Sequence, residues 1–193
     1  MEILPWVFTS GWASGINAYL VVLILGLADR FVPLTQVPDV LQRGDVLVAA
    51  AVLFVVDLVA DKVPYVDSVW DAVHTAIRPA VGAALGALIA GDAGTLAQAL
   101  AATTGGVTAL VSHAVKAGLR VAVNTSPEPA SNIGVSAAED VTVAGVVSLA
   151  VIAPWVAATI AAVLLVTGVV LVLLLLSRLR AWRRRRERRA VRL

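Results

Sequence analysis

Residues 141–176, VTVAGVVSLAVIAPWVAATIAAVLLVTGVVLVLLLL, run for 36 positions without a charged side chain. As one helix the stretch would be ~54 Å long, against a bilayer hydrocarbon core of ~30 Å. It therefore has to fold back or break. Pro154 in IAPWVA marks the place, because proline removes a helical N–H and its ring clashes with the preceding turn. Two apolar helices follow from this one run.

The rest of the chain is written in the same style. Of its 193 residues 60% are hydrophobic and 15% charged, with a mean hydropathy of +0.91. A soluble domain sits near 45–50% apolar and about 25% charged, so this chain expects lipid as its solvent. Four more apolar segments are separable, at 15–32, 45–63, 69–91 and 95–123. Together they predict an all-α integral membrane protein of about six spans. They form one membrane domain over 1–180, followed by an Arg-rich tail at 181–193. Cysteine is absent, which excludes disulfides and thiolate metal sites. No cofactor and no metal site is expected.

Charge is distributed unevenly. Nine of the fifteen Lys and Arg lie in SRLRAWRRRRERRAVRL at 177–193, whereas residues 1–176 hold six bases against twelve acids. Basic residues just after a span hold that end in the cytoplasm. Six crossings then place both termini inside the plasma membrane, with the loop at 33–43 outside. The opening MEILPWVFTSGW has no basic n-region and only a short apolar run, which argues against a cleavable signal peptide. The tail is read as touching anionic lipid headgroups, at ~1 kcal/mol per basic side chain, rather than nucleic acid. A homo-oligomer is left open.

The halves of the chain resemble one another at an offset of 91 to 95 residues. GINAYLVVLILGL from Gly15 sets against GVTALVSHAVKAGL from Gly106, and DVLVAAAVLFVV from Asp45 against DVTVAGVVSLAV from Asp140. Three spans per half make the repeats antiparallel, an inverted arrangement used by many secondary transporters. Repeat one then covers about 1–91 and repeat two about 92–180. Each repeat opens on a short apolar stretch ending in small residues. One reading is a broken or re-entrant half-helix at Ser14-Gly15 or Gly105-Gly106, its freed backbone covered by protein. The other is a single long helix with glycine for close packing.

Two polar stripes interrupt the apolar pattern. Asp67, Asp71, His74 and Arg78 follow 4-3-4 spacing and share one helical face, with Val69, Val73 and Ile77 turned elsewhere. Asp57 lies inside the preceding apolar segment, four residues before Asp61. In the other half His113, Lys116 and Arg120 form a second stripe, leading into NTSPEPASNIGVSAAED with Asn124, Glu128, Asn132, Glu139 and Asp140. Ionisable groups inside a bilayer are costly and usually face a bundle interior or a wet path.

These stripes predict a polar cavity open to the cytoplasm, lined by Asp57, Asp61, Asp67, Asp71, His74, Arg78, His113, Lys116, Arg120, Asn124, Glu128 and Asp140. Histidine beside carboxylate can relay protons, the bases suit an anion or headgroup, and the carboxylates suit a cation. A small transporter or permease for an anionic or proton-coupled solute fits best. The rival is a structural or partner-binding membrane subunit whose stripes only bind helices together. An enzyme is disfavoured: HExxH, GxSxG and phosphate-cradling glycine loops are missing, and the Asp71-x-x-His74 spacing stands alone.

SGINAY, VADKVPYVDSVWDAVHTAIRPAVGA, HAVKAGLR and NTSPEPASNIGVSAAED resemble a bacterial membrane family catalogued as domain of unknown function 4126. The resemblance covers about residues 9–155 and leaves out the Arg-rich tail. It implies a multi-pass membrane protein and carries no activity with it.

Overall fold

The computed structural model describes residues 3–63, 66–123 and 129–190. Among the described residues the chain is all helical. The helices are α1 (Ile3–Phe31), α2 (Gly44–Ala60), α3 (Val66–Ala90), α4 (Thr95–Val123), α5 (Pro129–Ile152) and α6 (Pro154–Ala190), with a short 3₁₀ turn at Asp39–Gln42 before α2. The break at Pro154 is observed: α5 ends at Ile152, Ala153 is not helical, and α6 begins at the proline, where a missing N–H costs nothing. α6 then continues without interruption from the apolar run into the basic tail.

Among the described residues, four stretches are long and apolar enough to cross a membrane: Ile3–Phe31, Val69–Ala90, Ile133–Ile152 and Pro154–Trp182. α2 has 17 residues, about 26 Å at the helical rise. α4 has 29, but His113, Lys116 and Arg120 dilute its apolar character. Apolar side chains lie on the outside: Val48, Val52, Val55 and Val59 on α2, and Val163, Val166, Val170 and Leu173 on α6, are exposed.

α1 is the exception to this outward-facing pattern. Trp6, Val7, Trp12, Val21 and Leu25 are buried in the core beside Leu85 and Ile89 of α3 and Val143 and Val147 of α5. All five other helices pack against it. Its backbone breaks at Asn17, where φ −148 and ψ 94 are extended rather than helical. The Asn17 Oδ1 accepts the Leu20 N–H at 3.0 Å, three residues on, as an N-cap does for a new helix. α1 is thus two helical segments end to end. The break falls two residues beyond the expected Ser14-Gly15, and α4 runs unbroken through Gly105-Gly106. Of the two sequence readings, the first half takes the broken helix and the second takes the single long one.

Glycine lets α1, α3 and α4 approach to backbone contact. A Cβ added to Gly82 would lie 2.7 Å from the Gly105 carbonyl oxygen, and one on Gly86 would run into the Ala101 carbonyl. These obstacles are main chain and cannot rotate away. We expect Gly86→Leu to be more destabilising than Leu85→Ala, although Leu85 is itself buried. Truncating Leu85 should cost about 2–5 kcal/mol, whereas Gly86→Leu has to separate two helices. Thermal unfolding in detergent gives the order.

Candidate functional site

Every charged residue of the two stripes that the structure describes is buried: Asp57, Asp61, Asp67, Asp71, His74, Arg78, His113, Lys116 and Arg120. Val69 and Val73 face outward from α3, as the spacing predicts. Asn124 and Glu128 lie outside the described residues, as does the side chain of Asn132.

Burial forces pairing, because an uncompensated charge in a low-dielectric interior costs several kcal/mol. One group is centred on Arg78 of α3. Its Nη2 donates to Asp57 Oδ1 on α2 at 3.2 Å, and its Nη1 to Asp71 Oδ1 at 3.2 Å. Trp70 Nε1 donates to the same Asp57 oxygen at 2.6 Å. A second group is centred on Asp61, just past the end of α2. Arg120 approaches it with both terminal nitrogens, at 3.0 Å to Oδ1 and 2.7 Å to Oδ2, and Lys116 Nζ donates to Oδ2 at 2.6 Å. Glu139 of α5 lies 3.4 Å from Arg120 and 3.6 Å from Lys116. Asp71 joins the groups, its Oδ2 lying 3.7 Å from Arg120 Nη1.

The break in α1 belongs to this network. Lys116 Nζ donates to the Ile16 carbonyl at 2.9 Å, a group set free because the helix stops at Asn17. The Asn17 Nδ2 donates to Asp140 Oδ1 at 2.9 Å. A helix interrupted inside the protein needs partners for its loose ends; here a lysine takes one, and the asparagine itself caps the next segment.

Hydrogen bonding separates the two histidines. Arg78 Nη1 lies 3.1 Å from His113 Nδ1. A guanidinium can only donate, so that nitrogen must be the acceptor. His113 therefore carries its proton on Nε2, which faces the Asp71 carbonyl at 3.1 Å and Thr75 Oγ1 at 3.1 Å. Protonating Nδ1 would set it against Arg78, so His113 is held neutral. His74 differs. Its Nδ1 donates to the Trp70 carbonyl at 2.8 Å, leaving Nε2 to accept the Tyr19 hydroxyl at 3.0 Å, with Asp57 Oδ1 3.9 Å away. His74 can gain a proton on Nε2 if the Tyr19 hydroxyl turns.

Among the described residues, five carboxylates (Asp57, Asp61, Asp71, Glu139 and Asp140) are linked to three bases (Arg78, Lys116 and Arg120), and Lys62 is a further base within electrostatic reach of Asp140. Asp57 Oδ2 and Asp140 Oδ2 are buried without a hydrogen-bond partner, and so are the Nε atoms of Arg78 and Arg120.

Arg78 and both histidines, expected to line a cavity, are at most 2% exposed here and enclosed by one another. The terminal nitrogens of Arg78 serve two carboxylates and an imidazole, and Asp71 lies closer to Arg78 than to Arg120. Sequence reasoning passed over Asn17, Tyr19, Trp70 and Thr75. Polar and amphipathic side chains within or beside apolar runs were the available signal. Glu139 was noticed as polar but not placed at the site.

The class is an all-helical protein of membrane-like apolar helices enclosing a buried charge network. The chain belongs to the family described as Domain of unknown function (DUF4126), whose sequence profile matches residues 4–174. No curated protein and no solved structure matches it.

Asp61 is the shared partner of two buried cations. Asp61→Asn should cost about 3–5 kcal/mol, the usual penalty for stranding a buried charge. Adding Arg120→Gln should recover part of that loss. Urea unfolding in detergent, set out as a double-mutant cycle, checks the sign of the coupling.

Proposed function

We propose that the protein is a proton-coupled membrane carrier for a small solute, with its charge network closed off from both sides in this conformation. The observation that carries the reading is that two half-buried carboxylates, Glu139 and Asp140, join a network of three buried carboxylates and three buried bases beside a broken helix. A carboxylate added to an already paired network is neutralised by a proton or a cation when water is excluded. Discontinuous helices whose freed carbonyls meet polar side chains are a recurrent feature of carrier sites. His74, Tyr19 and Asp57 form the proton path: His74 Nε2 accepts the Tyr19 hydroxyl and lies 3.9 Å from Asp57, whereas His113 Nδ1 accepts directly from a guanidinium. An anionic solute is a poorer fit, because every base in the network is already held by carboxylates. No catalysed reaction is assigned.

The carrier reading includes six spans in two inverted halves, α1–α3 and α4–α6. The opening helices of both halves have 29 residues and pack closely on each other. It also places the protein in the bacterial cytoplasmic membrane with both termini inside, the Arg-rich end of α6 resting on anionic headgroups. A second reading has its own support. The network is enclosed and largely paired, which suits a non-transporting subunit whose ion pairs hold helices together.

His74→Ala separates the two. In proteoliposomes loaded with a pH-sensitive dye, the wild type should dissipate an imposed proton gradient faster than empty vesicles. His74→Ala should keep its unfolding temperature within a few degrees and lose at least tenfold of that flux. A folded variant with undiminished flux would reduce the stripe to scaffolding.

Topology has a separate test. Val40→Cys introduces the only thiol in a cysteine-free chain, and membrane-impermeant maleimide should label it in intact cells. Labelling only by permeant reagents overturns the assigned orientation.

A further inference from the structure

The solute class can be narrowed from a cavity that the charge network borders on one side. Between α1, α4, α5 and α6 lies a space of about 340 Å³, at the small end of ligand pockets, which run from ~300 to 1,000 Å³. Its walls are almost entirely apolar, with Trp12, Ile16, Leu119 and Leu165 among them. Among the described residues, the charged groups at its surface are Lys116 and Glu139.

These two groups are not equally available. Lys116 is 2% exposed, and its ammonium already meets the Ile16 carbonyl, Asp61 and Glu139, which accounts for its three donors. Within the network Glu139 has the most accessible ion-paired carboxylate, at 16% against 9% or less for Asp57, Asp61 and Asp71. Its two ion pairs, at 3.4 and 3.6 Å, are longer than the 2.6 and 2.7 Å that Lys116 and Arg120 make to Asp61. The two bases are thus held chiefly by Asp61, and Glu139 is the looser partner.

We propose that this cavity binds a small organic cation, with its charge against Glu139 and its apolar body against Trp12 and the aliphatic walls. A bare metal ion would lose its water to a wall with few oxygen atoms, whereas an organic ammonium brings apolar surface to match the lining. Trp12 adds the aromatic group that best attracts such cations. An anion would meet the Glu139 carboxylate, and the lysine at the same wall is already engaged. The proposal deepens the carrier reading by naming its substrate class, but binding itself does not require transport.

The test uses the full chain in detergent and three probes of similar shape. Benzyltrimethylammonium is the cation, neopentylbenzene replaces its nitrogen by carbon, and phenylmethanesulfonate carries the opposite charge. Isothermal titration calorimetry should show saturable binding of the cation, at least tenfold weaker binding of the neutral probe, and none of the anion. Glu139→Gln should weaken cation binding at least tenfold. Because Glu139 also touches Arg120 and Lys116, Ala138→Trp serves as a second variant, filling the cavity from its lining without altering an ion pair, and should block binding too. Equal affinity for the neutral probe, unchanged binding in folded Glu139→Gln or Ala138→Trp protein, or no saturable binding of the cation overturns the proposal. Proton flux in proteoliposomes is measured separately. Flux without cation binding removes only the substrate class, and cation binding without flux removes only the carrier reading.

Discussion

A charge taken out of water must find its counter-charge within a few ångströms, and in this protein that demand decides where four helices meet. Asp57 and Asp61 come from α2 and the turn after it, Asp71 and Arg78 from α3, Lys116 and Arg120 from α4, and Glu139 from α5. Apart from Asp71–Arg78, which lies within α3, these pairs join different elements, so each fixes the rotation and height of one helix against another. Apolar packing in a lipid-like setting specifies such registers weakly, because one greasy face resembles the next. The ion pairs supply the specificity, at the cost of burying groups that would prefer water.

That arrangement depends on how closely the backbones can come. Gly82 and Gly86 of α3 pack onto Gly105 and Ala101 of α4, and Gly15 of α1 meets Ala109 and Ser112 of α4. Bulkier residues would hold the helices apart by more than an ion pair can span. Small residues at one end of α3 and α4 and charges at the other are therefore parts of one interface. The first permits the approach and the second sets its alignment.

The break in α1 connects packing to chemistry. α1 is the central helix, so a conformational change there would be felt by all five others. The break is held by only a few polar contacts: Lys116 to the Ile16 carbonyl, Asn17 to Leu20, and Asn17 to Asp140. Two of these reach residues beside Glu139, the carboxylate that borders the apolar cavity. A change of charge at Glu139 would alter the pull on Lys116 and so on the loose end of α1. This is a short physical link between the apolar cavity and the break in α1.

The sequence by itself determined the helical class, the break at Pro154, the two stripes and the outward turn of Val69 and Val73. All of these follow from hydropathy and a 3.6-residue period, which act within one segment. It also carried the family, through motifs such as DKVP and SPEP. It could not say that Arg78 would be consumed by Asp57 and Asp71, that His113 would accept from Arg78 while His74 accepts from Tyr19, or that α1 would break at Asn17 rather than at the neighbouring glycine. Those outcomes depend on which side chains arrive opposite one another. Periodicity places a residue on a face, but whether that face meets water, lipid or a counter-charge is settled only when the helices pack.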